Sequence, residues 1–304
     1  MLYRLDPILR PMVWGSELWV LSGYPERVSV VADGPFKGLT VNELVALEKE
    51  RLLGASVYSR FGDSFPLLVK FLDVHAPLSI QVHPSEEFAR TRQGLHGKTE
   101  MWYVVDARPG AELMAGFTRD LTPEEYSRRV ADGTITDVIA HHRITAGDVF
   151  FIPPGRAHAL LPGAYIAEIQ QASDSTYRIW DYNRPGLDGK PRPLHTSLAA
   201  EVLDYAAHDN YRTSYEPRKG APVQLTSCEW FTTSLLDLDA PFRLDVSGLD
   251  SFVAVLCVAG EGQVESGADA VPLAAGACIL VPACEEGILF TPAAGSFKVL
   301  LCHI

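Results

Sequence analysis

In the segment Ser79-Ile80-Gln81-Val82-His83-Pro84, side chains two residues apart on an extended strand share a face. Ser79, Gln81 and His83 then stand on one side, with Ile80 and Val82 on the other. A face of hydroxyl, amide and imidazole suits the wall of a cavity better than a core. Further along, Glu100 opens the apolar run Met101-Trp102-Tyr103-Val104-Val105, with Lys98 on its face, and His158 follows a Pro-Pro-Gly turn at the end of the strand Val149–Ile152. An amide oxygen, two imidazole nitrogens and a carboxylate form a mixed donor set suited to Zn²⁺ or another borderline divalent ion. Such a set leaves room for water or substrate, as a catalytic site needs. The other histidines (His75, His141, His142, His195, His208 and His303) read as satisfied core or surface residues.

These donors need strands to hold them, and the chain supplies many. Short runs rich in Val, Ile, Phe and Tyr, punctuated by Gly, Pro and Asp, are expected as strands at Leu67–Leu72, Leu78–Val82, Met101–Val105, Val149–Ile152, Ile166–Gln170, Phe252–Val258 and Ala277–Val281. Many strands at short spacing point to a mainly β barrel or sandwich. Helix signals are few. Thr40-Val-Asn-Glu43 and Thr122-Pro-Glu-Glu125 are capping boxes, a third helix is expected from about Thr196 to Tyr205, and Ser85-Glu-Glu starts a single turn.

Residues 147–158 and 276–287 share a glycine, an apolar run and a proline six positions after the glycine. In the second copy Cys284 and Gly287 stand where Gly155 and His158 do in the first. A duplicated β-unit with a histidine in one copy predicts two similar domains, one with a site and one without. The polar stretch 209–222 is the expected linker, between a catalytic part at 1–208 and a site-less part at 223–304.

With 304 residues, 47% hydrophobic and 21% charged, the composition is that of a globular protein. A net charge of −12 argues against nucleic acid or an anionic membrane as partner, though a local basic pocket can still take a small anion. The N-terminus lacks a signal peptide's apolar core, and no run approaches about 18 apolar residues. The five cysteines form no Cys-x-x-Cys pair, which fits free thiols in a reducing cytoplasm.

The pattern Gly-x5-Pro-x-Gly-x-x-His matches the second motif of the cupin superfamily. The ordered segments Leu-Ser-Ile-Gln-Val-His-Pro, Gly-Lys-Thr-Glu-Met-Trp-Tyr, Phe-Ile-Pro-Pro-Gly-Arg-Ala-His and Glu168-Ile-Gln-Gln-Ala-Ser-Asp-Ser-Thr-Tyr-Arg178 resemble the type I mannose-6-phosphate isomerases, in the short bacterial form. The resemblance extends to Val13-Trp14-Gly15, to Phe65–Asp73 and to Arg192-Pro-Leu-His195. It implies two cupin (jelly-roll-like) β-barrels and one Zn²⁺ per chain on Gln81, His83, Glu100 and His158. It also implies a catalytic Arg178 and an active-site Lys98. Gly97 stands where larger members often carry a histidine, which leaves His96 without an assigned role.

The implied reaction interconverts mannose 6-phosphate and fructose 6-phosphate in the cytoplasm, through a cis-enediol. The partner is then a small phosphorylated hexose, and the chain a monomer or homodimer. Arg178 suits the enediolate or another anion, unless it is spent in an ion pair with Asp174 four residues earlier. Lys98 is a candidate for proton transfer, against the bland reading of a surface lysine. Asp174, Lys98 and a zinc-bound hydroxide all remain as the base. For substrate binding Lys70, Ser79 and Asp174 are the candidates, ahead of Arg90 and Arg92; Lys70 could instead sit on an edge strand. A cupin dioxygenase using Fe(II), or a non-catalytic sugar-binding bicupin, would share the scaffold. Gln81 and the Lys98 and Arg178 pair count against the first, and the intact Lys98, Glu100 and Arg178 set against the second.

Overall fold

A computed structural model describes residues 1–304. It is mainly β: twenty-two strands with six short α-helices and one 3₁₀ turn. Four sheets, of seven, six, five and four strands, stay open, none closing on itself. No helix is long and apolar enough to cross a membrane. The chain falls into two compact units, one of residues 9–17 and 71–213, the other of residues 1–8, 18–70 and 214–304.

In the first unit, the five-stranded sheet runs Tyr177–Trp180, Ile80–Val82, His158–Leu160, Glu112–Phe117, Ile139–Arg143. The six-stranded sheet runs Val149–Ile152, Glu100–Ala107, Ala164–Gln171, Leu67–Val74, Gly15–Ser22, Ile8–Met12, and the chain passes from one unit to the other within Leu67–Val74 and within Gly15–Ser22. Period-two alternation sorts the side chains. Trp102, Val104, Phe150 and Ile152 from one sheet meet Leu113, Ala115 and Leu160 from the other in a shared core. Ile80, Val82, Met114, Ala159 and Ile179 face the opposite way, where the helices Pro123–Ala131 and Thr196–Val202 cover them with Tyr126 and Ala199. Each such buried side chain larger than alanine contributes roughly 1.5–3 kcal/mol. The helices exist because the sheet carries an apolar face on both sides.

The second unit repeats this strand order. Its seven-stranded sheet contains Thr232–Leu238, Phe297–His303, Val253–Ala259 and Cys278–Val281 in succession, and its four-stranded sheet runs Phe242–Asp245, Gly287–Pro292, Glu261–Ser266, Asp269–Ala274. Leu236, Val255, Val281, Phe290 and Phe297 belong to the core between them. Three of the cysteines (Cys257, Cys278 and Cys302) are buried, Cys284 is exposed, and all five are free thiols.

The expected helix starts are present. Thr40 and Glu43 close a reciprocal capping box on Val41–Glu48, and Thr122 caps Pro123–Ala131. The single turn expected after Ser85 is longer, running Glu86–Gln93. The Ser85 hydroxyl caps it, two glutamates open it, Arg90 and Arg92 close it, and Gly94 takes the left-handed conformation that ends it. In the expected linker, Tyr211 is buried in the first unit's core, and the Thr213 amide donates to the Val149 carbonyl at 2.8 Å.

One turn fixes the approach to His158. Gly155 has φ +87°, and its amide donates to the His83 carbonyl at 3.0 Å. A Cβ there would stand 2.9 Å from the Val202 carbonyl oxygen. Gly155→Ala is expected to lower stability by about 1–3 kcal/mol in urea unfolding, and an unchanged midpoint would refute this account of the turn.

Candidate active site

Strand pairing assembles one polar row. Arg178 lies opposite Gln81, Gln81 opposite His158, and His158 opposite Ala115. Directly opposed residues share a face, so three strands bring an arginine, an amide and an imidazole into line. His83 continues the row two residues beyond Gln81. From the other sheet, Glu100 lies opposite Ile152 on one side and Gln170 on the other.

His83, Glu100 and His158 are fully buried, and their ligating atoms all lie within 4.8 Å of one another. The backbone sets both tautomers. Nδ1 of His83 faces the Ser175 carbonyl oxygen at 3.0 Å, and Nδ1 of His158 faces the Arg156 carbonyl oxygen at 2.8 Å. A carbonyl only accepts, so each Nδ1 carries the proton and each Nε2 presents a bare lone pair. Burial, then the charge of Lys98, pushes the His83 imidazole from its ordinary 6.5 down to about 3. Burial also lowers His158. For Glu100, burial opposes ionisation, but the Lys98 ammonium beside it holds the carboxyl well below its usual range.

The result is a meeting of acceptors. Glu100 Oε2 lies 3.4 Å from His83 Nε2, and Glu100 Oε1 lies 3.4 Å from His158 Nε2. Donors about 2.0–2.2 Å from a tetrahedral ion stand about 3.3–3.6 Å apart, so both separations match an edge of that coordination figure. Neither Glu100 oxygen receives a directed hydrogen bond, although Nζ of Lys98 is 2.9 Å from Oε2. The Gln81 amide completes the set, with its Nε2 as placed 3.4 Å from His158 Nε2. Half a turn of the amide presents the oxygen instead. The residues present fit a divalent cation.

Lys98 is buried, which removes the surface-lysine reading. Its ammonium touches Glu100, His83 Nε2 at 3.2 Å and Glu168 Oε1 at 3.7 Å. Arg178 is partly buried, and burial first, then Arg192, lowers its pKa. Its Nη1 donates to the Pro193 carbonyl at 2.8 Å, and its Nε is buried without a partner. Asp174 is exposed and makes no ion pair with Arg178. The carboxylate that does organise this segment is Asp181, which accepts from Arg184 and Arg192.

The remaining candidates scatter. Ser79 is buried, one alternation before Gln81. Lys70 is buried in Leu67–Val74, a strand with neighbours on both sides, so the edge placement does not hold. Its ammonium is 5.9 Å from the Trp19 ring centre. Arg90 and Arg92 are exposed on their helix, and Arg92 pairs with Glu201 at 2.5 Å. His96 is exposed, but its carbonyl accepts from the Ser173 and Ser175 hydroxyls and so steadies the loop whose carbonyl orients His83. Residue-by-residue reading missed Glu168 and Gln170. Glu168 also accepts from Trp102 Nε1 at 3.0 Å, and Gln170 is fully buried opposite Glu100. Two polar residues at strand spacing in an apolar run were the available signal.

Both imidazoles have depressed pKa values in the fold, so below about 6.5 the unfolded chain binds more protons than the native one. The lowered Glu100 acts in the same sense below its ordinary value. Chelator-treated protein should therefore lose stability steadily as pH falls from about 6.5 toward about 3. A urea midpoint that stays level between pH 7 and pH 5 would contradict the neutral assignment.

Comparison with known proteins gives one answer. The model of the phosphomannose isomerase type I catalytic domain matches residues 6–126. A Streptococcus mutans mannose-6-phosphate isomerase is 34% identical over 289 residues, covering 95% of this chain and 88% of that protein. The crystal structure of the Bacillus subtilis mannose 6-phosphate isomerase is similar with TM-score 0.89 and 29% identity, covering 100% of this chain and 99% of that one. A zinc-bound mannose 6-phosphate isomerase shares the fold at TM-score 0.79 and 16% identity, each chain covered to 99%. The chain belongs to the type I mannose-6-phosphate isomerase family.

Proposed function

We propose that this protein interconverts D-mannose 6-phosphate and D-fructose 6-phosphate by proton transfer through a cis-enediol, with one Zn²⁺ per chain held by Gln81, His83, Glu100 and His158. The observation that carries the reading is the convergence of unprotonated donor atoms from His83, His158 and Glu100 in a fully buried site, with Lys98 as the one ammonium among them. The similarity to mannose-6-phosphate isomerases supplies the substrate. When bound, the ion supplies Lewis-acid stabilisation of the negative charge that develops on the sugar's oxygens.

The chain's own residues do the rest. Arg178, in the row beside Gln81 and without a carboxylate partner, is our candidate for binding the enediolate or another anionic part of the substrate. Lys98, between Glu100 and Glu168, holds the protons nearest the ligand set and is our candidate for moving one between carbon or oxygen positions of the sugar. Asp174 is proposed to contact substrate, and Lys70 and Ser79 to serve its phosphate. We further propose that the two sheet pairs are cupins, the catalytic one within 1–208 and a degenerate one at 223–304 joined through 209–222. A charged hexose phosphate is a cytoplasmic substrate, which sets the expected compartment.

Purified protein is expected to carry about one zinc per chain and to lose activity with chelator. Arg178→Ala should lower kcat/KM at least about 100-fold with unchanged circular dichroism. The decisive measurement is a coupled assay for fructose 6-phosphate formation. Absence of isomerisation by the zinc-loaded wild type, or O₂ consumption in its place, overturns the proposal.

A further inference from the structure

Because the strand order recurs, positions in the second unit can be matched to the site through strand pairing. Val253 lies opposite Val281 as Glu100 lies opposite Ile152. Val255 lies opposite Leu301 as Trp102 lies opposite Glu168, and the same register sets His303 at the place of Gln170. In the facing sheet, Leu244 lies opposite Ile288, and both point into the core, as Gln81 lies opposite His158. The four donor positions of the first unit are therefore Leu244, Val246, Val253 and Ile288 in the second.

The space beside three of these, Leu244, Val246 and Val253, is open. A cavity of about 560 Å³ is lined by Leu244, Val246, Val253 and Leu301, with Leu249 from the adjoining loop. Ser234 and His303 reach it from the strands, and Asp245 and Ser247, both exposed, stand at its rim. Nδ1 of His303 lies 3.2 Å from a main-chain oxygen of Ile304, an acceptor, and in the neutral ring that contact leaves Nε2 as the acceptor. No lysine or arginine lines the cavity.

We infer that the second unit binds a small uncharged amphipathic molecule at this place, an apolar body carrying a hydroxyl. The aliphatic walls take the body, and Nε2 of His303 with the Ser234 hydroxyl takes the O–H. The Asp245 carboxylate and the absence of a cation turn away anions, so a phosphorylated sugar is not the ligand. The inference does not depend on the isomerase reading.

Benzyl alcohol is the probe, with methyl-resolved NMR on the full chain as the measurement. Saturable shifts are expected at the Val253 and Leu301 methyls, with a Kd in the millimolar range, and none with benzoate. His303→Ala should weaken benzyl alcohol about tenfold while leaving toluene unchanged, the loss of one hydrogen bond. Leu249→Trp, on the loop and clear of the strands, should abolish saturation, and it serves where the cavity-filling Val253→Trp does not fold. Shifts that never saturate, saturation that survives Leu249→Trp, equal affinity for benzoate, or equal loss of both ligands in His303→Ala each overturn the inference.

Discussion

Two lone-pair contacts govern this structure: a buried carboxylate, Glu100, set 3.4 Å from the unprotonated Nε2 atoms of His83 and His158. Acceptors facing acceptors in a dry interior repel, and burying a charge without a partner costs several kcal/mol. The fold tolerates the arrangement because each atom is held from behind. Carbonyl oxygens of Ser175 and Arg156 fix the two rings, strand pairing fixes Glu100 between Ile152 and Gln170, and one ammonium, Lys98, offsets part of the charge. A cation resolves what remains. A site so built is preorganised, since the protein has already met the cost of bringing the donors together.

The supports are spread widely along the chain. His83 depends on a loop near residue 175, which Ser173 and Ser175 anchor to the His96 carbonyl. His158 depends on the turn at Gly155, which is tied back to the His83 carbonyl. Arg178 depends on the segment that Asp181 gathers with Arg184 and Arg192. None of these supports touches the donor atoms. All decide where those atoms point, and so which tautomer and which charge the site presents.

Much of this was legible in the sequence. The alternation of Ser79, Gln81 and His83 against Ile80 and Val82 is visible in the strand, because period two is a property of the backbone. The N-cap signatures at Thr40 and Thr122 announce their helices for the same local reason, though only the first closes as a reciprocal box, since Arg119 and Arg129 take the Glu125 carboxylate. Less legible were features set by partners distant in the chain. The surface alternative for Lys98 falls only when the strand at Glu168 covers it, and the alternative pairing of Arg178 with Asp174 falls because the counter-charge of that segment is Asp181. Glu168 and Gln170 carried the same alternating signal as Gln81 and His83, but without a motif that gave them roles. The extent of the helix Glu86–Gln93 followed from its paired caps rather than from its apolar residues, which are few.

The repeated glycine–proline segments have one more consequence. By sequence offset Gly287 answers to His158, yet the residue whose side chain enters the second core is Ile288, and Gly287 lies on the other face of its strand. The two copies are out of phase by one residue at this point. A histidine written back at position 287 would therefore look away from the interior, however faithful the motif. What separates the two halves is parity along a strand, and point substitution that restores composition cannot restore phase.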